Sequence, residues 1–530
     1  MGIFRAFIWL VLSYGIATTL LFVRLHGKDG ILALSSSASG RLAVLLLNDD
    51  TINRKRIRDA PSSSTSKALT CYGTSEQLIP NNSTAGGYSA VPSKSVGTFY
   101  VMNFGRRIND FIEKVLDARP GYRSIAVAKE ASIVWTKMVD DDPVLRLALG
   151  RGSLSYSEVQ PWQRINHVRN KQSLNDKDMF LARIHEYANR NLQSSGDRIR
   201  EAWFLPESYR LHVKAEKEAF LHRVDYENGI NEAWVCKDPT VDRGEGVAML
   251  GPGSDRLKEL RMKLTDEFLP VSALSWYNRT ADPSAEVSDA SSKQFDKRLR
   301  NRLIVQKYIP TLQWQGHKFD LRVYWLVASV SPLLVYYHDG IARVSLTSYN
   351  PTDFADERIK SHLTNVAQSL SGGNETDRLL NLATRSFDDL DLILRKFVAS
   401  DTKRSSHFES HIKDDPLGYV RQRIKDALTF VVDAFRETAL NPDGCPADNC
   451  YVFFGADFML DENLNVWMTE VQYGPNLAVK AKAKEHVFKK LVPEMFAIVD
   501  EVREKQVKSA EVAAPLLPLA SAKTWELFYC

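Results

Sequence analysis

The chain has 530 residues, 44% hydrophobic and 25% charged, with a formal net charge of +4. That length accommodates one large or two to three ordinary domains with a sizeable core, and the near-neutral charge, with no DNA or RNA recognition motif, argues against a nucleic-acid partner. The five cysteines (Cys71, Cys236, Cys445, Cys450, Cys530) are too few for a disulfide scaffold and lack zinc spacing. Cys445 and Cys450 either pair across a Pro-containing turn or remain two free thiols.

Residues 6–23, AFIWLVLSYGIATTLLFV, form an uncharged run of 18 residues, long enough to cross a bilayer. Arg24, His26 and Lys28 close it where a cleaved signal would carry small residues. Residues 1–27 are therefore expected to be an uncleaved signal-anchor, giving a single-pass membrane protein with the membrane itself as a partner. The alternatives are a cleaved signal or an organelle-targeting peptide. Flanking charge leans slightly toward a type II orientation in the ER or Golgi, and a domain facing the cytosol stays open. Residues 28–96 contain SSSASG, PSSSTS and NNSTAGG and read as a low-complexity stem. Sequons at Asn81, Asn82, Asn278 and Asn374 matter only in the secretory lumen.

Order is expected from about residue 97. Strands are predicted over 98–104, 124–128 and 132–135, and helices over 107–117 and 178–191, making an N-terminal α/β subdomain of residues 97–205. A central subdomain, 206–302, carries strands 233–236 and 247–250 and a polar insertion read as mobile. A third, 303–504, carries strands 303–308, 321–330 and 333–337, a second insertion over 351–416, and helices 417–440 and 479–504. Residues 505–530 read as a tail. Mixed strands and helices indicate an α/β (α+β) fold.

Lys237 ends a strand and is followed by DPTVDRGEG and another strand. This reads as a phosphate cover: Gly244 and Gly246 permit close backbone approach, while Lys237 and Arg243 supply charge. An ordinary turn is the competing reading. Gln306, Lys307, Tyr308 and Ile309 end the strand before Pro310, a place suited to an adenine edge. Period two puts Lys318, Asp320 and Arg322 on one strand face and Phe319, Leu321 and Val323 on the other. Three charged side chains there need each other or a charged ligand. Arg343 brings another cation, and His362, Thr364 and Asn365 form a polar cluster.

The segment YVFFGADFMLDENLNVWMTEVQYGPNL, residues 451–477, reads as a hairpin with Asp457 on one strand and Glu470 on the other. Two such carboxylates suit Mg²⁺ shared with substrate phosphates, and Gln472, on the Glu470 face, adds an amide oxygen. A buried hairpin with two incidental acids is the alternative.

The order KDMF, FLPESY, K…RGEG, QKYI, GHKFDLR, DG…R, HLTN, GADFMLDEN, WMTEVQYGP over about residues 165–480 resembles the tubulin–tyrosine ligase-like family, which has an ATP-grasp fold. The resemblance implies an ATP-dependent ligase joining a free amino acid to a carboxylate of a protein acceptor, such as a tubulin C-terminal tail, through an acyl-phosphate. It implies that Lys177 and Lys237 contact ATP phosphates and that Gln306 to Ile309 form the adenine hinge. Asp320 would face the ribose or acceptor, Arg322 and Arg343 the phosphate or acyl-phosphate, and Thr364 and Asn365 the nucleotide. Asp457 and Glu470 would ligate Mg²⁺. The family normally has Asn where this chain has Gln472, whose extra methylene shifts the second-metal geometry. An ATP-binding pseudoenzyme, a small-molecule ligase and a membrane-anchored secretory-pathway ligase acting on a non-tubulin substrate are the rival readings. A basic helix face with Lys480, Lys482, Lys484, Lys489 and Lys490 is expected either to meet an acidic acceptor or simply to be solvated.

Overall fold

The computed structural model describes residues 20–24, 31–36, 42–47, 97–102, 110–136, 158–160, 162–194, 202–239, 246–265, 274, 302–354, 359–364, 376–400, 408–441, 445, 449–511 and 515–530. Two units are distinguished, residues 1–70 and 71–530.

In the first unit β1 (Leu20–Arg24), β2 (Ile31–Ser36) and β3 (Leu42–Leu47) pair antiparallel in that order. This corrects the membrane expectation. The end of the apolar run is strand, with Val23 registered against Leu32. Among the described residues no helix is long and apolar enough to cross a membrane. The signal-anchor, the single-pass location and the membrane partner are overturned on that finding. The physical reason is competition: the runs ILALSS and LAVLLL downstream offer strand partners to a segment ending in Phe22 and Val23, residues that favour extended backbone. Residues 1–19, the sequons and most of the expected stem lie outside the described residues.

The second unit begins with a parallel sheet in the order β5-β4-β6-β7, formed by β4 (Gly97–Val101), β5 (Tyr122–Ser124), β6 (Ile133–Trp135) and β7 (Arg164–Ile165). Helix α1 (Asp110–Asp117) buries Ile112 and Leu116. The strand expected over 124–128 stops at Ser124, and Ala128–Glu130 is a short 3₁₀ turn. Helix α2 (Lys177–Ser194) follows.

A second sheet, antiparallel in the order β10-β9-β11-β8, is made by β8 (Ser208–Arg210), β9 (Trp234–Lys237), β10 (Val247–Leu250) and β11 (Ile304–Lys307). α3 (Lys214–Tyr226) and α4 (Asp255–Leu264) share its core through Phe220, Val224, Leu257 and Leu260.

The third sheet has seven strands. Its path is β15-β14-β13-β16-β17, formed by β13 (His317–Val330), β14 (Leu333–Ser348), β15 (Thr384–Arg385), β16 (Val452–Leu460) and β17 (Val466–Tyr473). β12 (Gln313–Trp314) adds to β13 and β18 (Glu526–Tyr529) to β14. Strand periodicity explains its two cores. Phe319, Leu321, Val323, Trp325 and Val327 enter one, with α2, α5 (Phe387–Ala399) and α6 (Pro416–Phe435). Tyr324, Leu326 and Ala328 enter the other, with α7 (Lys482–Glu511). The expected insertion over 351–416 thus contributes a core helix, α5, through Leu390, Leu394 and Val398. The expected tail is also packed: Leu516, Leu519, Trp525 and Phe528 are buried. Cys445 and Cys450 form a disulfide, Cα atoms 5.7 Å apart, and Ile165 bridges Cys450 in parallel, joining the first sheet to the entry of β16.

The architecture of the second unit is a mixed α+β fold, with one parallel sheet followed by two antiparallel ones.

Candidate active site

Four adjacent strands carry charged residues in register. Asp320 on β13 faces Arg343 on β14, Arg322 on β13 faces Asp457 on β16, and Asp457 faces Glu470 on β17. Side chains follow the backbone. Arg343 donates through Nε and Nη2 to the Asp320 oxygens at 2.7 and 2.6 Å, and through Nη2 to Asp457 Oδ2 at 2.6 Å. Arg322 Nη2 donates to Asp457 Oδ2 at 2.8 Å, and its Nε donates to Oδ1. Thr364 Oγ1 donates to Asp320. Asp457 is only 2% exposed. Burial acts to raise its carboxyl pKa, but the Arg322 and Arg343 guanidinium groups outweigh burial and hold it well below the usual range.

Glu470 reaches this row because β17 is irregular. Its register against β16 shifts between Asp457 and Phe458, so Met468 enters the core while Glu470, two residues on, faces the site. Plain alternation would put both on one face, and a bulge re-aims the side chain. Glu470 lies 3.9 Å from both Lys177 Nζ and Arg322 Nη2.

Between the second and third sheets lies a cleft lined by residues of both. Leu174, Phe180, Leu205 and Ile304 help form apolar walls, while Lys177, Lys237, Gln306 and Glu470 bring polar groups to it. That combination suits a bound organic anion. Lys237 Nζ donates to Gln306 Oε1 at 2.6 Å, and Gln306 Nε2 donates to Ser208 Oγ at 2.9 Å. Burial, then the nearby Lys177 charge, pushes the Lys237 ammonium down to about 8. Lys318, 5% exposed, is likewise pushed to about 8 by burial, with Lys237 adding to the effect and Asp320 opposing it. Its ammonium lies 4.9 Å from the Tyr308 ring centroid and 5.5 Å from that of Tyr349. Lys177, Lys237 and Lys318 thus gather positive charge that repels itself until an anion arrives.

The donor set fits Mg²⁺, which takes one or two carboxylates and completes its shell with water and substrate phosphate oxygens. Asp457 and Glu470 supply the carboxylates. Burial, then the adjacent Asp457 charge, raises the Glu470 carboxyl, a penalty that a divalent cation relieves. Among the described residues no group of three or more His, Cys, Asp or Glu side chains gathers for a metal, so the fit rests on this pair. Gln472 turns its amide nitrogen, rather than its oxygen, toward Glu470.

The remaining expected residues are placed less uniformly. Gly246 has a positive φ of 68° and its carbonyl closes the β9–β10 loop by accepting from the Asp238 amide at 2.9 Å. Arg243, Gly244 and Asn365 lie outside the described residues. Lys307 Nζ pairs with Glu232 at 2.9 Å. The backbone amides of Lys307 and Tyr308 donate to Glu207 and Ala233 carbonyls. Ile309 is buried beside them. The Tyr308 hydroxyl instead joins Tyr349 and His362 Nδ1, the latter at 2.8 Å. Ser208 and Tyr349 had no signal beyond ordinary polarity, although Ser208 lies in the FLPESY motif.

A family model described as the tubulin-tyrosine ligase family matches residues 155–509. Protein polyglycylase TTLL10 of Rattus norvegicus is 24% identical over 328 residues, covering 62% of this chain and 42% of that protein. Probable tubulin polyglutamylase TTLL2 of Mus musculus is 25% identical over 354 residues, covering 65% and 52%. Tubulin monoglutamylase TTLL4 of Homo sapiens is 24% identical over 330 residues, covering 61% and 22%. The chain spans about half or less of the length of each of these relatives.

Proposed function

This chain belongs to the tubulin-tyrosine ligase family, and from that premise we propose that it is an ATP-dependent ligase of ATP-grasp architecture joining a free amino acid to a carboxylate of a protein acceptor. The observation that carries the reading is the junction of the lysine-rich cleft with the Asp320–Arg343, Arg322–Asp457 and Glu470 row.

The chemistry has two balanced steps. An acceptor carboxylate oxygen attacks the γ-phosphorus of ATP, the bond to the β–γ bridging oxygen breaks, and ADP leaves. The amine of the incoming amino acid then attacks the carbonyl carbon of the acyl-phosphate. A C–N bond forms, the C–O bond to phosphate breaks, and inorganic phosphate departs while the nitrogen gives its proton to phosphate or solvent. Lys177, Lys237 and Lys318 offset the phosphate charge and orient the chain. Arg322 and Arg343, fixed by Asp457 and Asp320, supply preorganised donors for the negative charge that develops on the transferring group. Asp457 and Glu470 would hold Mg²⁺, which neutralises phosphate charge when bound. Polyglycylase and polyglutamylase relatives support glycine or glutamate as the amino acid and an acidic tail, such as that of tubulin, as the acceptor.

The test incubates the full chain with Mg·ATP, an acidic acceptor peptide and single amino acids, and reads peptide mass and ADP release. Peptide gaining one residue mass with matching ADP and phosphate is expected. Nucleotide bound with no product for any amino acid would overturn the assignment.

A further inference from the structure

Tyr473 is the last residue of β17, the end strand of the third sheet's path, three residues after Glu470. It stands in register with Phe454 and packs beside the core shared with α2. One segment winds round it through contacts four residues apart. His167, fully buried, brings Nε2 to 3.0 Å from the Tyr473 hydroxyl, with the two rings 5.4 Å apart. Lys171 Nζ lies 4.4 Å from the centre of the Tyr473 ring. Asn175 Oδ1 accepts from the Tyr473 backbone amide at 3.0 Å. The outer edge of an end strand leaves amides without a ladder partner, and Asn175 closes one of them, as the Phe204 carbonyl closes that of Met468 at 2.7 Å.

The same segment ends at the cleft. Asn175 completes a single helical turn, Gln172–Asn175, and Lys177 is the first residue of α2. Between them Asp176 Oδ1 accepts from the amides of Asp178 and Met179 at 2.9 and 3.0 Å. That cap fixes how α2 starts, and the Asn175 bond fixes where. A closed ring results. It runs along β17 from Glu470 to Tyr473, crosses the hydrogen bond to Asn175, follows the chain to Lys177, and returns through the 3.9 Å approach of Lys177 Nζ to Glu470 Oε2. A lysine carries its charge on a flexible four-carbon stem, so the place of its ammonium depends on how firmly its backbone is held. Asn175, Lys177 and Glu470 line the cleft, and Tyr473 is tied to it through them.

We infer that Tyr473 is a positioning residue for Lys177: by anchoring residues 167–175 it holds the cleft lysine where nucleotide phosphate is met. This rests on the ligase reading, in which Lys177 offsets phosphate charge, and deepens it by naming what fixes that lysine. The competing account is that the contacts only pack residues 167–175 against β17 and leave Lys177 indifferent.

A double-mutant cycle separates the two. Isothermal titration measures the Kd of a non-hydrolysable ATP analogue with Mg²⁺ for the full chain, Tyr473→Leu, Lys177→Met and the double variant. Tyr473→Leu keeps apolar volume and removes the ring beneath Lys171 and the hydroxyl beside His167. It is expected to weaken the analogue by about tenfold, and to weaken it by less than about threefold further once Lys177→Met is present. A Kd for Tyr473→Leu within about threefold of wild type overturns the proposal, as does a further loss of about threefold or more in the Lys177→Met background. If Tyr473→Leu does not fold, Asn175→Ala, which breaks the bond to the Tyr473 amide, is judged by the same cycle. A wild type that binds no nucleotide sinks the ligase reading instead, and the positioning is then read from lysine acetylation by acetic anhydride, followed by peptide mass. The rate at Lys177 relative to that at the buried Lys318 should rise about fivefold in the variant. A ratio within about twofold of wild type overturns the proposal.

Discussion

Arg322 and Asp457 face each other across β13 and β16 and are joined side-on by two hydrogen bonds, from Nη2 at 2.8 Å and from Nε. Both residues are buried, so neither charge can fall back on water. Removing one member of such a pair costs about 3–5 kcal/mol, because the mate is left uncompensated. Arg343 still neutralises part of Asp457, so Arg322→Met is expected near the lower end, about 3 kcal/mol. Urea unfolding reads this as a lower midpoint at constant slope. The double variant Arg322→Met/Asp457→Leu should recover part of the loss, since no buried charge of the pair then remains.

Glu470→Gln separates fold from turnover. The substitution keeps the side-chain shape and removes a charge that burial and Asp457 already disfavour. Without Mg²⁺ the variant should melt no lower than wild type at neutral pH. ATP-dependent ligation should fall by about 100-fold or more if Glu470 holds the metal. Mg·ATP at about 100 times its Kd should stabilise wild type by about 2.7 kcal/mol, and the part of that gain removed by EDTA should be missing in the variant. Unchanged turnover would sink the metal assignment.

The sequence made the β13 part of the site legible because period two alone separates Lys318, Asp320 and Arg322 from Phe319, Leu321 and Val323. It placed Asp457 and Glu470 on paired strands for the same reason. The bulge that turns Glu470 away from Met468 has no signature in an alternation pattern, since both residues sit at even spacing. Lys484 looks like Lys480, Lys482, Lys489 and Lys490, which are exposed, and only tertiary contact with Asn476 and Phe488 tells it apart. The apolar run ending at Val23 has the length of a membrane helix, yet its last residues pair with Ile31–Ser36. Helix α5 was hidden in a polar stretch, although the capping box of Ser386 and Asp389 was a local signal for its start.

Two glycines in the site should respond differently to alanine. A Cβ on Gly340 would stand 1.8 Å from the Arg322 carbonyl oxygen, a backbone atom that cannot yield without parting β13 from β14. Gly340→Ala should therefore destabilise the protein by about 3 kcal/mol and lower expression of soluble chain. At Gly455 the obstacles are side chains, Arg322 Cδ at 3.1 Å and Pro475 Cβ at 3.3 Å. Gly455→Ala should cost about 1 kcal/mol. Because it displaces a guanidinium that Asp457 clamps, ligation should still fall about tenfold. A Gly455→Ala protein with full turnover would show that the position of Arg322 is not critical.

Glu216 provides the pH test, away from the charged row. It lies in the first turn of α3 and accepts from the Arg210 backbone amide at 2.7 Å and from Arg210 Nε at 2.9 Å, with His185 Nδ1 3.9 Å away. Burial acts to raise its carboxyl, but the nearby His185 ring and the Arg210 hydrogen bonds outweigh it and bring the pKa down to about 2 from an ordinary 4.5. A depressed carboxylate stabilises the fold above its unfolded pKa and loses that contribution as pH falls toward the folded value. Solvent screens a half-exposed group, so Glu216→Gln should cost about 1–2 kcal/mol at pH 7 rather than the full value of the shift. The stability gap between wild type and variant should hold down to about pH 5, narrow through the ordinary glutamate range and close as pH approaches 2. Thermal melts of both proteins from pH 7 to 3 measure it. A gap that stays constant across that range would mean that Glu216 acts through packing, with its charge bound equally well in the unfolded chain.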